Sequence, residues 1–311
     1  MEVKESHFPL KILIFGGSGM LGNTVVNYLV EKFRQHNFIS TFKSRIPSKS
    51  SSNLIYAHFD IDDLDSNLLT TTLRDIDIVI NCAGLIWQKA NDSTREIDYF
   101  RVNYEFPLKI QELQSKMGFK HIHIGTDCVF NGNSFFPYTE VHDLDASDIY
   151  GLSKAKAEIE LRNATILRSS IIGHSPGQQA SLLDWFLARE RGSRVHGYKN
   201  HYWNGIGAVQ MARILSSFIL EPEMFFEGVQ HIVPSDTVTK FELLSIFGEE
   251  FDRTDIRIEE HFHELKSNHL LATTNPNRNN ELWKRAGYSE IPTIRDMVKE
   301  LVVFYKKEMR I

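Results

Sequence analysis

The feature that most restricts this chain is a short apolar run that stops at three evenly spaced glycines. Residues 11–22 read Lys-Ile-Leu-Ile-Phe-Gly-Gly-Ser-Gly-Met-Leu-Gly, which spaces Gly16, Gly19 and Gly22 as G-x-x-G-x-x-G. Ile12–Phe15 is apolar at every position instead of alternating, the pattern of a strand buried on both faces of a parallel sheet. Beyond the glycines, Leu21, Val25, Tyr28 and Leu29 recur at helical spacing and leave Asn23, Asn27 and Glu31 for the other side. A strand, a glycine turn and a helix together hold a pyrophosphate. The glycines admit the ligand close to the backbone, and the first-turn N–H groups at the positive helix end face the anion. Gly16, Gly19, Met20, Leu21 and Gly22 are therefore candidate dinucleotide contacts.

The bulk properties narrow the class. A chain of 311 residues can build one large α/β core and a smaller lobe. Its 42% hydrophobic and 24% charged residues are the balance of a globular enzyme. A net charge of −5 gives no general attraction to nucleic acid or anionic membrane, and no apolar run is long enough to span a bilayer. Residues Met1–His7 carry no signal-peptide pattern, and two cysteines, Cys82 and Cys128, allow no disulfide framework. The expected setting is a reducing cytoplasm, without nucleic-acid or membrane partners. A two-fold homodimer is the default assembly.

Phe38–Phe42 reads as the second strand. An acidic residue at its end would hold a ribose 2′-hydroxyl. Lys43, Ser44 and Arg45 stand there instead, with Lys49 close behind. The arginine fork matches phosphate oxygens, so the pattern favours NADP(H) with Ser44 and Arg45 as contacts, NAD being the alternative. A solvated basic loop is the competing reading. Leu54–Phe59 is a third strand ending in Asp60-Ile61-Asp62, and Asp60 can also cap the following helix. Asp77–Asn81 is a fourth, followed by Cys82, Ala83 and Gly84, small residues that let a ribose approach the backbone. A helix opens around Arg101–Pro107, with Asn103 in its first turns, and runs to about Met117.

The fifth strand, from His121, ends in Gly125-Thr126-Asp127-Cys128-Val129-Phe130. Farther on, Tyr150 and Lys154 are four apart on a predicted helix and share one face. Reducing a ketone needs a proton as hydride arrives. A free phenol is a weak acid, with pKa about 10, and a neighbouring ammonium lowers it. Thr126 supplies a hydroxyl to orient the substrate oxygen. The catalytic candidates are thus Thr126, Tyr150 and Lys154. His121 and His123 recur at period two on one strand face. They read as packed strand histidines, because a metal pair lacks further ligands at useful spacing, and no metal is expected.

Taken together, Gly16/Gly19/Gly22, Thr126-Asp127-x-Val129-Phe130-x-Gly132, Pro137-Tyr138-Thr139-Glu140, Tyr150/Lys154 and Ile166-Leu167-Arg168-Ser169 resemble the extended short-chain dehydrogenases/reductases over most of the chain. The most similar branch is the dTDP-4-dehydrorhamnose reductase-like group. The resemblance implies an α/β fold: a Rossmann-type doubly wound parallel sheet with a smaller C-terminal α/β lobe closing over a nucleotide-diphospho-sugar. Residues 1–172 then belong mainly to the dinucleotide-binding domain and 173–311 mainly to the substrate lobe, with a strand near 229–233 returning toward the sheet. It also implies reduction of a 4-keto sugar, Asp60 and Ile61 near the adenine, and a cofactor-side place for Asn103, Cys82, Ala83 and Gly84. Cys128, Val129, Phe130 and Arg168 would face the substrate. Cys128 stands where the group usually has tyrosine, and its offset from Thr126 resembles the GDP-fucose synthase-like reductive epimerases. Epimerisation through Cys128 is therefore an alternative, as is a non-catalytic nucleotide-binding subunit, although retention of Tyr150 and Lys154 argues for an enzyme.

In the C-terminal half, Ser181–Arg191, Ala208–Leu220, Thr239–Phe247 and Pro292–Tyr305 read as helices, and Val229–Val233 as a strand. Trp203 and Asn204, in the segment after Asn200, are candidate sugar contacts, with packing at the lobe interface as the alternative.

Overall fold

The computed structural model describes residues 9–63, 66–86, 94–176, 181–264 and 267–309; Met1–His7 lies outside them. The glycine-terminated run forms β1 (Lys11–Phe15), the centre of a parallel sheet with β2 (Asn37–Phe42), β3 (Leu54–His58), β4 (Ile78–Asn81), β5 (Lys120–Gly125) and β6 (Thr165–Arg168). The apolar residues of β1 divide by parity. Ile12 and Ile14 enter one core cluster, Leu13 and Phe15 the other, so both faces are covered. The crossovers carry α1 (Met20–Lys32), α2 (Ser66–Thr72), α3 (Glu96–Phe100), α4 (Phe106–Met117) and α5 (Ile149–Glu160). Between α3 and α4 the backbone widens into a π-helical stretch, Arg101–Glu105, directly before Pro107 in the first turn of α4, which has no N–H to continue the regular ladder.

The second half adds short strands β7 (Ile171–Ile172), β8 (Arg194–Tyr198), β9 (His201–Trp203) and β10 (Ile206–Gly207), then β11 (Gly228–His231). β11 pairs in parallel with β6 and completes a seven-stranded sheet of order β11-β6-β5-β4-β1-β2-β3. The order reverses between β1 and β4, and the crevice at that switch point is where an open α/β sheet binds its ligand. Helices α6 (Leu182–Leu187), α7 (Ala208–Leu220), α8 (Lys240–Glu250), α9 (Pro276–Arg285) and α10 (Ile294–Met309) follow. Met211, Leu215 and Phe218 of α7, and Met297 and Leu301 of α10, share the core cluster of Val25 and Leu29 of α1. The chain after residue 172 therefore supplies a strand and two helices to the layer built on the seven-stranded sheet. The smaller lobe is built from β8 with β13 (Arg257–His261), and from β9 between β12 (Val238–Thr239) and β14 (Ser267–Asn268). Helix α6 is shorter than the Ser181–Arg191 expected. The Arg253 guanidinium takes the carbonyls of Leu187 and Arg189, at 2.7 Å for the latter, and draws the chain out of the helix.

A buried polar chain joins the two halves. Glu158 on α5 accepts from Arg168 Nε at 3.0 Å and from its Nη2, and Arg168 Nη1 donates to His231 Nε2 at 2.7 Å. His231 Nδ1 donates to Ala272 O at 2.7 Å, which fixes the neutral tautomer, and burial followed by the Arg168 charge pulls this histidine down to about 4. Glu140, from the motif after β5, accepts from His231 N at 2.8 Å, Thr273 Oγ1 at 2.7 Å and Thr274 N at 2.8 Å. Burial pushes the Glu140 carboxyl up, but these hydrogen bonds pull harder and hold it at about 2.

Because the folded carboxyl stays ionised to about 2 while an unfolded one protonates near 4.5, Glu140 contributes stability that is complete above pH ~4.5. That contribution is lost as pH falls toward 2. Urea melts of Glu140→Gln should show a loss of about 1–3 kcal/mol at pH 7. The gap to wild type should narrow as both proteins are taken below pH ~4.

Candidate active site

The glycine turn is built for close approach. Gly16 adopts φ +77°, and a Cβ there would lie 2.8 Å from the backbone N and Cα of Ala83. A Cβ on Gly22 would lie 2.1 Å from the Gly16 carbonyl oxygen. Gly19 N donates to that carbonyl at 2.9 Å, and Gly16 N donates to Thr41 Oγ1 at 3.1 Å. These bonds anchor the turn to β2. Gly16 and Gly19 then line a cleft of about 570 Å³ with Ser44, Asp60, Ile61 and the Cys82–Gly84 backbone. Gly22 lies beneath the turn and sets its tightness.

The basic cluster after β2 separates by partner. Lys43 binds Asp60 at 2.9 Å and Asp62 at 2.5 Å, and Asp62 also takes Arg101 at 3.2 Å. Asp60, expected near the adenine, is thus also an ion-pair partner. Arg45 lines the adjoining cavity with Ser18, Asn23 and His174 and has no ion pair among the described residues. Asn103 does not offer its amide to the cleft. Its Oδ1 accepts from Leu85 N at 2.9 Å, and its Nδ2 donates to Leu85 O and Ser153 Oγ, both at 3.0 Å. It ties the loop after β4 to the helix carrying Tyr150 and Lys154.

A second cavity of about 360 Å³ adjoins the first through Gly19 and the Cys82–Gly84 backbone. Thr126, Tyr150 and Lys154 all line it, as do Met20, Leu21, Asp127, Cys128 and Trp203. Thr126 ends β5 and caps the following turn. Its Oγ1 accepts from Cys128 N and donates to Asp127 Oδ1, each at 3.2 Å. Asp148 caps α5 by accepting from Gly151 N at 3.0 Å, which fixes where Tyr150 enters the helix. Burial, then the Cys128 thiol, push the Tyr150 phenol up, while a hydrogen bond with Thr126 opposes them. Lys154 is 4% exposed, and burial pulls it down to about 8. The expected lowering of the phenol by a neighbouring ammonium is absent, because desolvation governs both groups. Burial and Asp127 likewise push the Cys128 thiol up.

Four expected substrate contacts are packing residues. Val129 and Phe130 are buried with Tyr138 and Leu271, and Phe130 stacks on Tyr138 at 4.2 Å. Arg168 is engaged by Glu158 and His231. The Asn204 amide is bonded in both directions to the Leu271 backbone, at 2.7 and 3.0 Å. Residue types at a strand end do not disclose which face each side chain takes. Trp203 is 4% exposed yet lines the cavity, with its indole N–H on Ser170 Oγ at 2.9 Å. Sequence reasoning missed Lys240. It lines the same cavity at the first position of α8, with its ammonium 5.5 Å from the Trp203 ring. The Thr239-x-x-Glu242 capping box was a legible sign of that helix start. Among the described residues no metal-binding cluster occurs, and no helix is long and apolar enough to cross a membrane.

A sequence profile of the family described as RmlD substrate binding domain matches residues 10–305. The chain is 23% identical over 246 residues to a spore coat polysaccharide biosynthesis protein, SpsK, of Bacillus subtilis, covering 77% of this chain and 79% of that protein. A probable dTDP-4,6-dihydroxy-2-methyloxan-3-one 4-ketoreductase of Streptomyces antibioticus is 27% identical over 167 residues, 52% of this chain and 51% of its own length. The fold matches a dTDP-4-dehydrorhamnose reductase of Bacillus anthracis solved with NADP, at a TM-score of 0.71 and 15% identity, over 95% of this chain and 99% of that one.

The turn's tightness is testable without any ligand. Gly22→Ala places a methyl against the Gly16 carbonyl and should cost about 1–3 kcal/mol in thermal or urea melts. A Cβ at Gly84 meets Asn103 Oδ1 only at 3.6 Å, an ordinary contact, so Gly84→Ala should stay within about 0.5 kcal/mol of wild type.

Proposed function

The chain belongs to the RmlD substrate binding domain family, and on that premise we propose that it catalyses NADP(H)-dependent reduction of a nucleotide-diphospho-4-keto-sugar to the 4-hydroxy sugar. The product would serve as an activated deoxysugar for polysaccharide synthesis. The observation that carries this reading is the convergence of Thr126, Tyr150 and Lys154 on one cavity that opens into the glycine-lined cleft. The cleft suits a dinucleotide, since a turn so tight that a Cβ at Gly16 or Gly22 would strike backbone leads directly into the N-terminus of α1. A nicotinamide held there would supply the hydride that a carbonyl reduction needs.

The protein's own groups supply the rest. Thr126 orients the substrate oxygen. Tyr150 donates its proton: the phenol O–H breaks as the new alcohol O–H forms. A phenol held protonated by its surroundings is the state this direction requires. Lys154, one turn along α5, holds the cofactor ribose. Ser44 and Arg45 hold the 2′-phosphate, since Lys43 is already neutralised by Asp60 and Asp62. Trp203 and Lys240 border the sugar. Cys128 makes a poor carbon base, because its thiol is pushed up and lies 3.7 Å from Asp127 Oδ1, so reduction without epimerisation is preferred.

Loss of NADPH absorbance should follow addition of one class among dTDP-, GDP- and UDP-linked 4-keto-6-deoxy sugars. Tyr150→Phe should lower kcat by about 10²–10⁴-fold with NADPH affinity retained; full turnover in that variant would remove Tyr150 from the acid role. Arg45→Ala should weaken NADPH about tenfold and leave NADH nearly unchanged, as read by nicotinamide fluorescence titration.

A further inference from the structure

Three charged side chains among the described residues line the second cavity: Asp127, Lys154 and Lys240. Two of them are engaged. Asp127 Oδ1 accepts from Thr126 Oγ1 at 3.2 Å and lies 3.7 Å from Cys128 Sγ. Lys154 Nζ meets the Ile124 carbonyl at 2.7 Å and His123 Nε2 at 3.0 Å. The Lys240 ammonium makes no hydrogen bond and no ion pair among the described residues. It stands over the face of Trp203, 5.5 Å from the ring centre.

Two effects work against a lysine in this place. Burial disfavours its charge, and Asp127 offsets that only in part. It is also the first residue of α8, where the helix dipole opposes a cation. An apolar side chain would cover Trp203 without either cost. What the ammonium adds is positive charge beside a positive helix end, with its N–H donors still unused. The surface beneath it is fixed, because the Trp203 indole N–H donates to Ser170 Oγ at 2.9 Å. Such a group is complete only when an anion reaches it.

The origin of the cavity walls identifies the anion. Thr126 and Tyr150 come from the end of β5 and from α5, whereas Lys240 directly follows β12 of the smaller lobe. A substrate between them has its reacting carbonyl at the first wall and its negative charge at the second. In a nucleotide-diphospho-sugar the diphosphate hangs on C1, across the pyranose ring from C4. We propose that Lys240 binds the diphosphate of the nucleotide sugar and thereby turns C4 toward Tyr150. The assignment rests on the nucleotide-sugar reading above and adds to it the residue that holds the substrate's charge. Asp127 reinforces the direction: its carboxylate, bonded to Thr126, repels an anion from the reacting end. The dinucleotide's phosphates have a separate seat in the glycine-lined cleft, so Lys240 serves the substrate and not the cofactor.

Calorimetric titration of the full chain, with its dinucleotide cleft filled by NADP+, tests the assignment. Among dTDP, GDP and UDP, one should bind wild type. Lys240→Met and Lys240→Gln should each bind it about 10–100-fold more weakly, with NADP+ affinity unchanged. Lys240→Arg, which keeps the charge, should stay within about threefold of wild type. Raising the salt from about 50 to 500 mM should weaken the nucleoside diphosphate more in wild type than in Lys240→Met. Undiminished affinity in Lys240→Met and Lys240→Gln would place the diphosphate elsewhere. A loss that Lys240→Arg shares in full, or equal salt dependence in wild type and Lys240→Met, would make the role of Lys240 one of packing. Each of these results overturns the assignment and leaves the proposed reaction standing. If wild type binds NADP+ and none of the three nucleoside diphosphates, the nucleotide-sugar reading itself fails.

Discussion

Arg168 is the fixed point of the molecule. Its guanidinium is fully buried and stands between Glu158 on the helix that carries Tyr150 and Lys154 and His231 on the strand that closes the sheet. A buried ion pair is weak evidence for stability, since desolvation of both charges offsets much of their attraction. Its use here is geometric. The contact from Glu158 to Arg168 ties α5, with Tyr150 and Lys154 on it, to β6 and through His231 to β11. Glu140 extends the constraint. By accepting from the backbone of His231 and from Thr273 and Thr274, it ties the loop after β5 to the C-terminal part of the chain.

The same constraint explains what the sequence disclosed and what it hid. The sheet was legible because each strand of a two-sided parallel sheet is a continuous apolar run, as in Ile12–Phe15, and because glycines must stand where the turn leaves no room for a Cβ. Thr126, Tyr150 and Lys154 were legible because their spacing places them on a strand end and one helix face. Arg168 and Asn204, expected as substrate contacts, turn their polar groups inward, to partners 10 and 67 residues away. No local pattern records such pairings. Lys240 was missed for the converse reason: its cavity is lined jointly by the start of α8 and the end of β5, which lie far apart in the chain. The strand expected near 229–233 does pair with β6, and the helices α7 and α10 pack with α1 as well, which sequence order does not show.

Burial also governs the acid–base character of the cleft. In water a lysine beside a tyrosine acts through charge, stabilising the phenolate. In this cavity the phenol is pushed up and the lysine pulled down, so both groups rest nearer neutrality. A phenol held protonated suits a reduction, in which the proton must still be on the phenol when hydride arrives. It does not suit the reverse oxidation, which needs the phenolate as base.

Charge is instead concentrated where the dinucleotide's phosphates would lie, and there too it is sorted by pairing. The three basic residues that follow or close on the end of β2 are not equivalent. Lys43 is held by Asp60 and Asp62, and Lys49 lies 3.9 Å from Glu31. Arg45 alone among Lys43, Arg45 and Lys49 shows no ion pair among the described residues, and it faces a cavity beside the first turn of α1 with Asn23 and Ser18. An anion there meets a fork-shaped cation that need not leave an existing partner, next to the positive end of a helix. The carboxylates that neutralise Lys43 also line the cleft and would repel a phosphate brought closer to β3. Attraction at Arg45 and repulsion at Asp60 and Asp62 favour, for the proposed 2′-phosphate, the α1 side of the β2 strand end.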